Sequence, residues 1–227
     1  MVDNLTDLIG DSQICQRNWD LSEEIPTEHI YLIMEAITEC PTRQNIPFFD
    51  VTAITDRSVI EDIHKCTAHF KIVESMANSD YPKLIAEGAY RMKKTERIAD
   101  VKKTNPQVLG QLLIAFSANM NTHYTDSVSH DPLFSSEGKW EKDVSFSIGI
   151  AAGYAKLIST QLGYASGFCG CYDEGINKIL GKDIRLMLGI GIPDRNKPHT
   201  EHHYESFEFP SFKEVKNLSP VNVEYVG

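Results

Sequence analysis

Between Trp140 and Leu162, apolar residues return at three- and four-residue steps: Val144, Ile148, Ala151, Ala152, Ala155, Ile158 and Leu162. That period draws one greasy stripe along a long helix, and such a stripe has to be buried. Gly149, Ala151, Ala152, Gly153 and Ala155 keep the helix slim, so another helix or a flat ligand can come close. Gly163 stands where a helix stops through a left-handed cap. The uncharged run Tyr164–Tyr172 reads as a short turn with exposed backbone, and Asp173 is placed to cap a following helix. Two readings fit: a core helix before an ordinary loop, or a helix feeding a loop whose N–H groups face a planar molecule.

The rest of the chain is arranged around this unit. Asp3–Gly10 predicts a short helix, a turn falls near Ser22, and Ile30, Ile33, Met34 and Ile37 mark a helix after Pro26. Pro41–Asn45 reads as a loop, and Phe49–Ile54 alternates as a strand. Asp56 caps a helix with Val59, Ile60, Ile63 and Cys66 on one face. Met76–Lys103 is charged and reads as helical in its second half, until Asn105-Pro106 breaks it. Gln111–Ala118 is a continuous apolar run, a buried strand. His123–Lys139 is polar and holds Pro132, Gly138 and several serines, so it is assigned to a mobile loop or lid. Asp173–Leu180 predicts a short helix ended by Gly181. Ile184–Ile192 alternates strictly and predicts a strand that Pro193 ends.

At 41% hydrophobic residues over 227 positions, the chain holds enough apolar side chain for one sizeable core. Its 32 acidic against 22 basic residues leave a formal charge of −10, which argues against nucleic acid as the main partner. An anionic ligand must then be held by a few local cations, and Arg17, Arg195 and Lys197 stand near strand or loop ends. As a group they are either a phosphate site or solvated turns. No apolar run reaches the ~18 residues of a membrane span, and Met1–Thr6 has no secretory pattern. Five scattered cysteines fit reduced thiols in a cytoplasm.

Cys169-Gly170-Cys171 is either a redox or metal pair or two small, partly buried residues. No second close pair completes a zinc site, so no metal is expected. His199, His202 and His203 are either a metal-binding group or solvated side chains, and their polar tail favours the second. Gly189-Ile190-Gly191 is followed by Pro193 and no helix pattern, which rules out a dinucleotide loop. No Ser-His-Asp or paired-carboxylate spacing stands out, so no catalytic side chain is assigned. An enzyme of this kind borrows its chemistry from a cofactor.

Three short motifs, spread over most of residues 10–200, resemble the FMN-dependent nitroreductase family. Gln13-Ile14-Cys15-Gln16-Arg17-Asn18-Trp19-Asp20 is similar to the N-terminal motif whose basic residues and serine hold the FMN phosphate. Here Arg17 keeps its charge, Cys15 stands at the serine position and Gln13 at the first arginine. Pro41–Phe49 resembles the family's Pro-Ser-x-x-Asn-x-Gln-Pro-Trp loop, with Asn45 at the asparagine and Pro47 at the glutamine. The long helix, the turn through Cys171, the strand Ile184–Ile192 and Pro193–Lys197 follow the family's C-terminal order.

The resemblance implies an α+β fold, a nitroreductase-like mixed sheet flanked by helices in an intertwined homodimer. It implies an FMN-binding domain over 1–200 and an extension, 201–227, which is either disordered or wrapped over the partner subunit, its aromatic residues favouring wrapping. The implied cofactor site consists of Cys15, Gln16, Arg17, Asn45, Asn105, Phe168, Cys169, Gly170, Cys171, Arg195 and Lys197. Backbone N–H groups near Gly170 and Cys171 would face flavin N5, and Phe48, Phe49 and the 123–139 segment would shape the pocket. The implied activity is two-step: NADH or NADPH passes hydride to FMN, then an electron-poor acceptor such as a nitroaromatic or quinone is reduced. The departures at Gln13, Cys15 and Pro47 define an alternative, a non-catalytic dimer that binds ligand or serves as a scaffold. A specialised flavin enzyme on the same fold, such as a dehalogenase, is a third reading.

Overall fold

A computed structural model gives the fold and describes residues 4–67, 91–92, 104–122, 138–196, 207–208 and 223–225. Helix α1 (Leu5–Ser12) starts at Asn4, whose side chain accepts from the Thr6 N–H. Helix α2 (Thr27–Thr38) follows Pro26 and turns Ile33 and Ile37 inward. Strand β1 (Phe49–Ile54) leads to α3 (Arg57–Lys65), which Asp56 caps by accepting from the Ser58 and Val59 N–H groups. The short strand β2 (Arg91–Met92) and a 3-10 turn (Pro106–Leu109) precede β3 (Leu112–Ala118). Then come α4 (Lys139–Gln161), β4 (Ala165–Cys169), α5 (Gly175–Leu180), β5 (Ile184–Gly191) and β6 (Phe207–Glu208).

Strands β1, β3, β5 and β4 form one sheet in that order, and every adjacent pair is antiparallel. All seven residues of β3 are buried, because helices cover both faces. Side chains alternate between the two covers. Leu112, Ile114 and Phe116 of β3, with Leu188 and Ile190 of β5, meet α2 and α4. Leu113, Ala115 and Met187 point the other way, to Ile60 and Ile63 of α3, Ile176 of α5 and Val108 of the 3-10 turn. The α+β architecture expected from the sequence is the one found. Its mixed character comes from a parallel bridge, Cys15 with Ser166, on the outer side of β4.

Val144, Ile148, Ala151, Ala152 and Ala155 are the inward side of α4, as their spacing predicts. Among the described residues no helix is long and apolar enough to cross a membrane. Gly163 and Gly181 adopt φ of 91° and 64°, the left-handed conformation expected of helix-ending glycines.

Two expectations are corrected. Tyr164–Tyr172 is not a turn throughout, since Ala165–Cys169 is strand β4, paired along its length with β5. The run shows no apolar alternation because part of what covers it is main chain, the Cys15–Gln16 segment. In the charged stretch expected to be helical, Arg91 and Met92 instead pair with Glu208 and Phe207. Helix pattern and strand pairing compete there, and the tertiary partner decides. The rest of Met76–Lys103 up to residue 103 lies outside the described residues, as do residues 123–137 of the expected lid.

Candidate functional site

The site grows from a strap, Cys15–Asp20, laid against the end of the sheet. Gln16 N–H donates to the Ser166 carbonyl at 2.9 Å, beside the Cys15–Ser166 bridge. Trp19 then bridges Pro193 in an antiparallel sense, Asp20 N–H donates to Ile192 O at 2.9 Å, and Asp194 N–H donates to Asn18 O at 3.0 Å. Arg17 and Arg195 each stand one residue beyond the bonded pair Asn18 and Asp194. Two cations 178 positions apart in sequence thus sit on paired segments at one end of the sheet. Lys197 lies outside the described residues.

Gln16 is buried, and its amide oxygen accepts from the Arg17 and Asn18 N–H groups at 2.9 and 3.1 Å. It therefore shapes the strap from beneath. Glycines let the strap lie so close: a Cβ on Gly167 would stand 2.6 Å from Gln16 O, and one on Gly189 would collide with the Gln107 carbonyl. Trp19 Nε1 donates to Pro106 O at 2.8 Å, which fastens strap to 3-10 turn. Burial lowers the Arg17 pKa, opposed by the neighbouring Cys15.

Two residues that sequence reasoning missed complete the arrangement. Lys156, on α4, donates to Ile14 O and Ser166 Oγ, both at 3.0 Å. Its Nζ lies 5.2 Å from the centre of the Phe168 ring, a cation–π distance. Burial lowers its pKa, again opposed by Cys15. A signal was there to find: Lys156 is the lone charged residue between Asp143 and Asp173. Gln107 donates through Nε2 to Cys15 Sγ at 2.6 Å and accepts through Oε1 from Asn105 Nδ2 at 2.7 Å. Asn105 Nδ2 also reaches Cys169 Sγ at 3.3 Å, while its Oδ1 accepts from Gln107 N–H at 3.1 Å. The Asn105 side chain is thereby engaged inside the protein.

Gly170 is exposed, and a Cβ there would meet nothing within 4 Å, so the backbone beside it is open on one side. Phe168 and Cys171 flank it half-buried. Cys169 is buried, and its thiol is pushed up to about 11, chiefly by desolvation. A protonated thiol is no nucleophile near neutrality, which removes half of any redox pair with Cys171. Among the described residues no group of three or more His, Cys, Asp and Glu could hold a metal ion.

Asn45 is elsewhere. It is exposed, at φ 55° in a 3-10 turn (Arg43–Asn45) whose Arg43 pairs with Asp143 at 3.0 Å. Asp143 and Lys156 are thirteen positions apart on α4, about 20 Å along its axis. Within one chain, Asn45 and the strap therefore occupy opposite ends of that helix. Phe48, expected to shape the pocket, is instead fully buried in the core, and half-buried Phe49 packs on Phe116 at 6.1 Å between ring centres. His199, His202 and His203 lie outside the described residues.

The buried thiol carries a pH prediction. Unfolded, Cys169 ionises near 9; folded, it keeps its proton to about 11. Its contribution to stability is fully present below pH 9 and is lost as pH rises toward 11. Two units correspond to about 2–3 kcal/mol. Tyr172, pushed by burial to about 12 with its hydroxyl donating to Ile184 O at 2.7 Å, acts in the same direction. Urea unfolding at pH 8.5 and pH 11 should show this loss, reduced in Cys169→Ala. Equal stability at the two pH values would mean that solvent reaches the thiol.

This arrangement of sheet, helices and strap is the nitroreductase fold. The chain is similar to a nitroreductase family protein from Clostridium novyi NT, at 15% identity over 93% of this chain and 98% of that one, with a TM-score of 0.56. It is similar to a nitroreductase with bound FMN from Bacteroides fragilis NCTC 9343, at 15% identity over 90% and 96%, TM-score 0.54. An FMN-dependent nitroreductase from Clostridium difficile R20291 matches at 16% identity over 90% and 99%, TM-score 0.51. No protein-family model matches the sequence, and no curated protein does.

Proposed function

We propose that this chain binds FMN without a covalent bond and works as an NAD(P)H-dependent flavin oxidoreductase on electron-poor acceptors such as nitroaromatics or quinones. One observation carries the reading: the antiparallel pairing of strap and post-β5 segment, which brings Arg17 and Arg195 to one end of β4, while the open backbone at Gly170 follows its other end. The residues fit such a group. A phosphate of about −2 charge suits cations gathered from both ends of the chain. A flat ring suits the uncluttered edge at Phe168–Cys171. When bound, FMN supplies the hydride chemistry between nicotinamide and acceptor. The chain's own part is to hold the anionic end with Arg17, Arg195 and Lys197, and to present N–H groups near Gly170 and Cys171 to the ring. Cations near a reduced ring stabilise its negative charge.

The same proposal includes a homodimer. Phe146, Ile150, Tyr154 and Leu157 line the outer side of α4 and are 66%, 40%, 45% and 40% exposed. Four large apolar residues along one helix face, with Gly149 and Gly153 among them, suit a second copy of this chain.

A second reading has its own support. Gln13, at the position of the family's first arginine, turns back to cap α1, donating through Nε2 to Ile9 O at 3.2 Å. Fewer cations then face the site, as a ligand-binding or scaffold protein would tolerate. Size-exclusion chromatography of the purified full chain, monitored at flavin wavelengths, separates the two. The oxidoreductase elutes yellow at the mass of two chains and is bleached by NADPH or NADH. A colourless chain that stays colourless with added FMN is the scaffold.

A further inference from the structure

Lys156 is a charge that the fold meets with neutral groups, two oxygens and, 5.2 Å away, the Phe168 ring. The residue interrupts an otherwise uncharged stretch, Val144–Tyr172, that forms most of α4, the turn after it and β4. Lys156 is half-buried, and its two hydrogen-bond partners, Ile14 O and Ser166 Oγ, are neutral. No carboxylate of the described residues pairs with it. Removing an ammonium from water without a counter-charge is costly, and a methionine of similar length would span the same gap without that cost. An ammonium has three N–H donors, and two are used here. The two used ones bracket the Cys15–Ser166 bridge, and Arg17 follows two residues along the strap. Lys156 and Arg17 therefore bring positive charge to Cys15 from two different elements, a helix and a strap. A doubly charged anion at the strap would supply the missing counter-charge and the acceptor for the third N–H.

We propose that Lys156 is an anion-binding residue of the strap site, specific for the phosphate monoester of the bound flavin rather than for its ring. This rests on the flavin reading above. Lys156 completes from within α4 the cation set begun by Arg17 and Arg195. The bonds to Ile14 and Ser166 aim the ammonium, and its charge selects FMN over riboflavin.

Titrating the purified full chain, stripped of flavin, with FMN and separately with riboflavin tests this through flavin fluorescence. Lys156→Gln keeps a donor for Ile14 O or Ser166 Oγ and loses the charge; Lys156→Met loses both; Lys156→Arg keeps both. The neutral variants should bind FMN roughly 10–100-fold more weakly, the effect of one charge-assisted hydrogen bond. Riboflavin affinity should stay within about 3-fold, and Lys156→Arg should restore most of the FMN affinity. A pin with only a structural role gives another pattern: Lys156→Gln resembles the wild type, or FMN and riboflavin weaken together. Either result overturns the assignment. A wild-type chain that takes up neither flavin overturns the flavin reading itself. Wild-type binding of FMN that survives unchanged in Lys156→Met overturns only the role of Lys156.

Discussion

Gly189→Ala is expected to cost the fold about 3 kcal/mol, among the largest effects of any single methyl group in this chain. Gly189 lies in β5, between strands β3 and β4, opposite Leu113 on one side and Gly167 on the other. A Cβ there would run into the Gln107 carbonyl, with Gln107 C at 3.0 Å and Val108 Cα at 3.3 Å behind it. These are main-chain atoms and have no rotamer to change. The 3-10 turn would have to lift off the sheet, carrying away the Gln107 bond to Cys15 and loosening the strap. Gly170→Ala is the control, since its Cβ would enter open space. Urea midpoints should fall sharply for the first variant and stay within about 0.5 kcal/mol for the second. If the two variants unfold alike, the close approach of turn and strand is not what holds the strap.

The second large effect is on the ligand. Arg17→Ala should weaken FMN retention by about 1.5–3 kcal/mol, or roughly 10–100-fold in Kd. Arg17 is half-buried, so water screens its charge poorly and its loss is felt in full. Arg195 is exposed, and Arg195→Ala should cost less by the same reasoning. Fluorescence titration with FMN measures both. Unchanged affinity in Arg17→Ala would take the strap out of the binding site, whatever the colour of the wild-type protein.

Much of the frame was legible because burial leaves a periodic trace. Val144 to Ala155 announced the inner side of α4, and the unbroken apolar run at Leu112–Ala118 announced a strand covered on both faces. Caps were legible because they are local: Asp56 bonds residues two and three positions on, and Gly163 and Gly181 need only their own φ. The order of three motifs pointed to the nitroreductase fold although no stretch was diagnostic alone.

The candidate site was legible in part, and the misses share a cause. β4 passed for a turn because Gly167 and Ser166 are covered by main chain, and main-chain packing selects small residues without a period. Gln107 carries no signal in the sequence, though it links the Cys15 thiol to Asn105 across 92 and 2 positions. Lys156 was overlooked since it belongs to the helix by sequence and to the strap by contact.

Sequence alone determined helices α1 to α5, strands β1, β3 and β5, the turn-forming glycines and the acidic balance that limits the site to a few local cations, because these depend on neighbours within a few residues or on totals. Tertiary structure alone decided that Arg17 and Arg195 come to one end of the sheet, that Asn45 stands at the far end of α4 from the strap, and that Phe48 is core. Those outcomes follow from hydrogen-bond register and close approach between distant segments, and no local preference encodes which remote backbone a residue will meet.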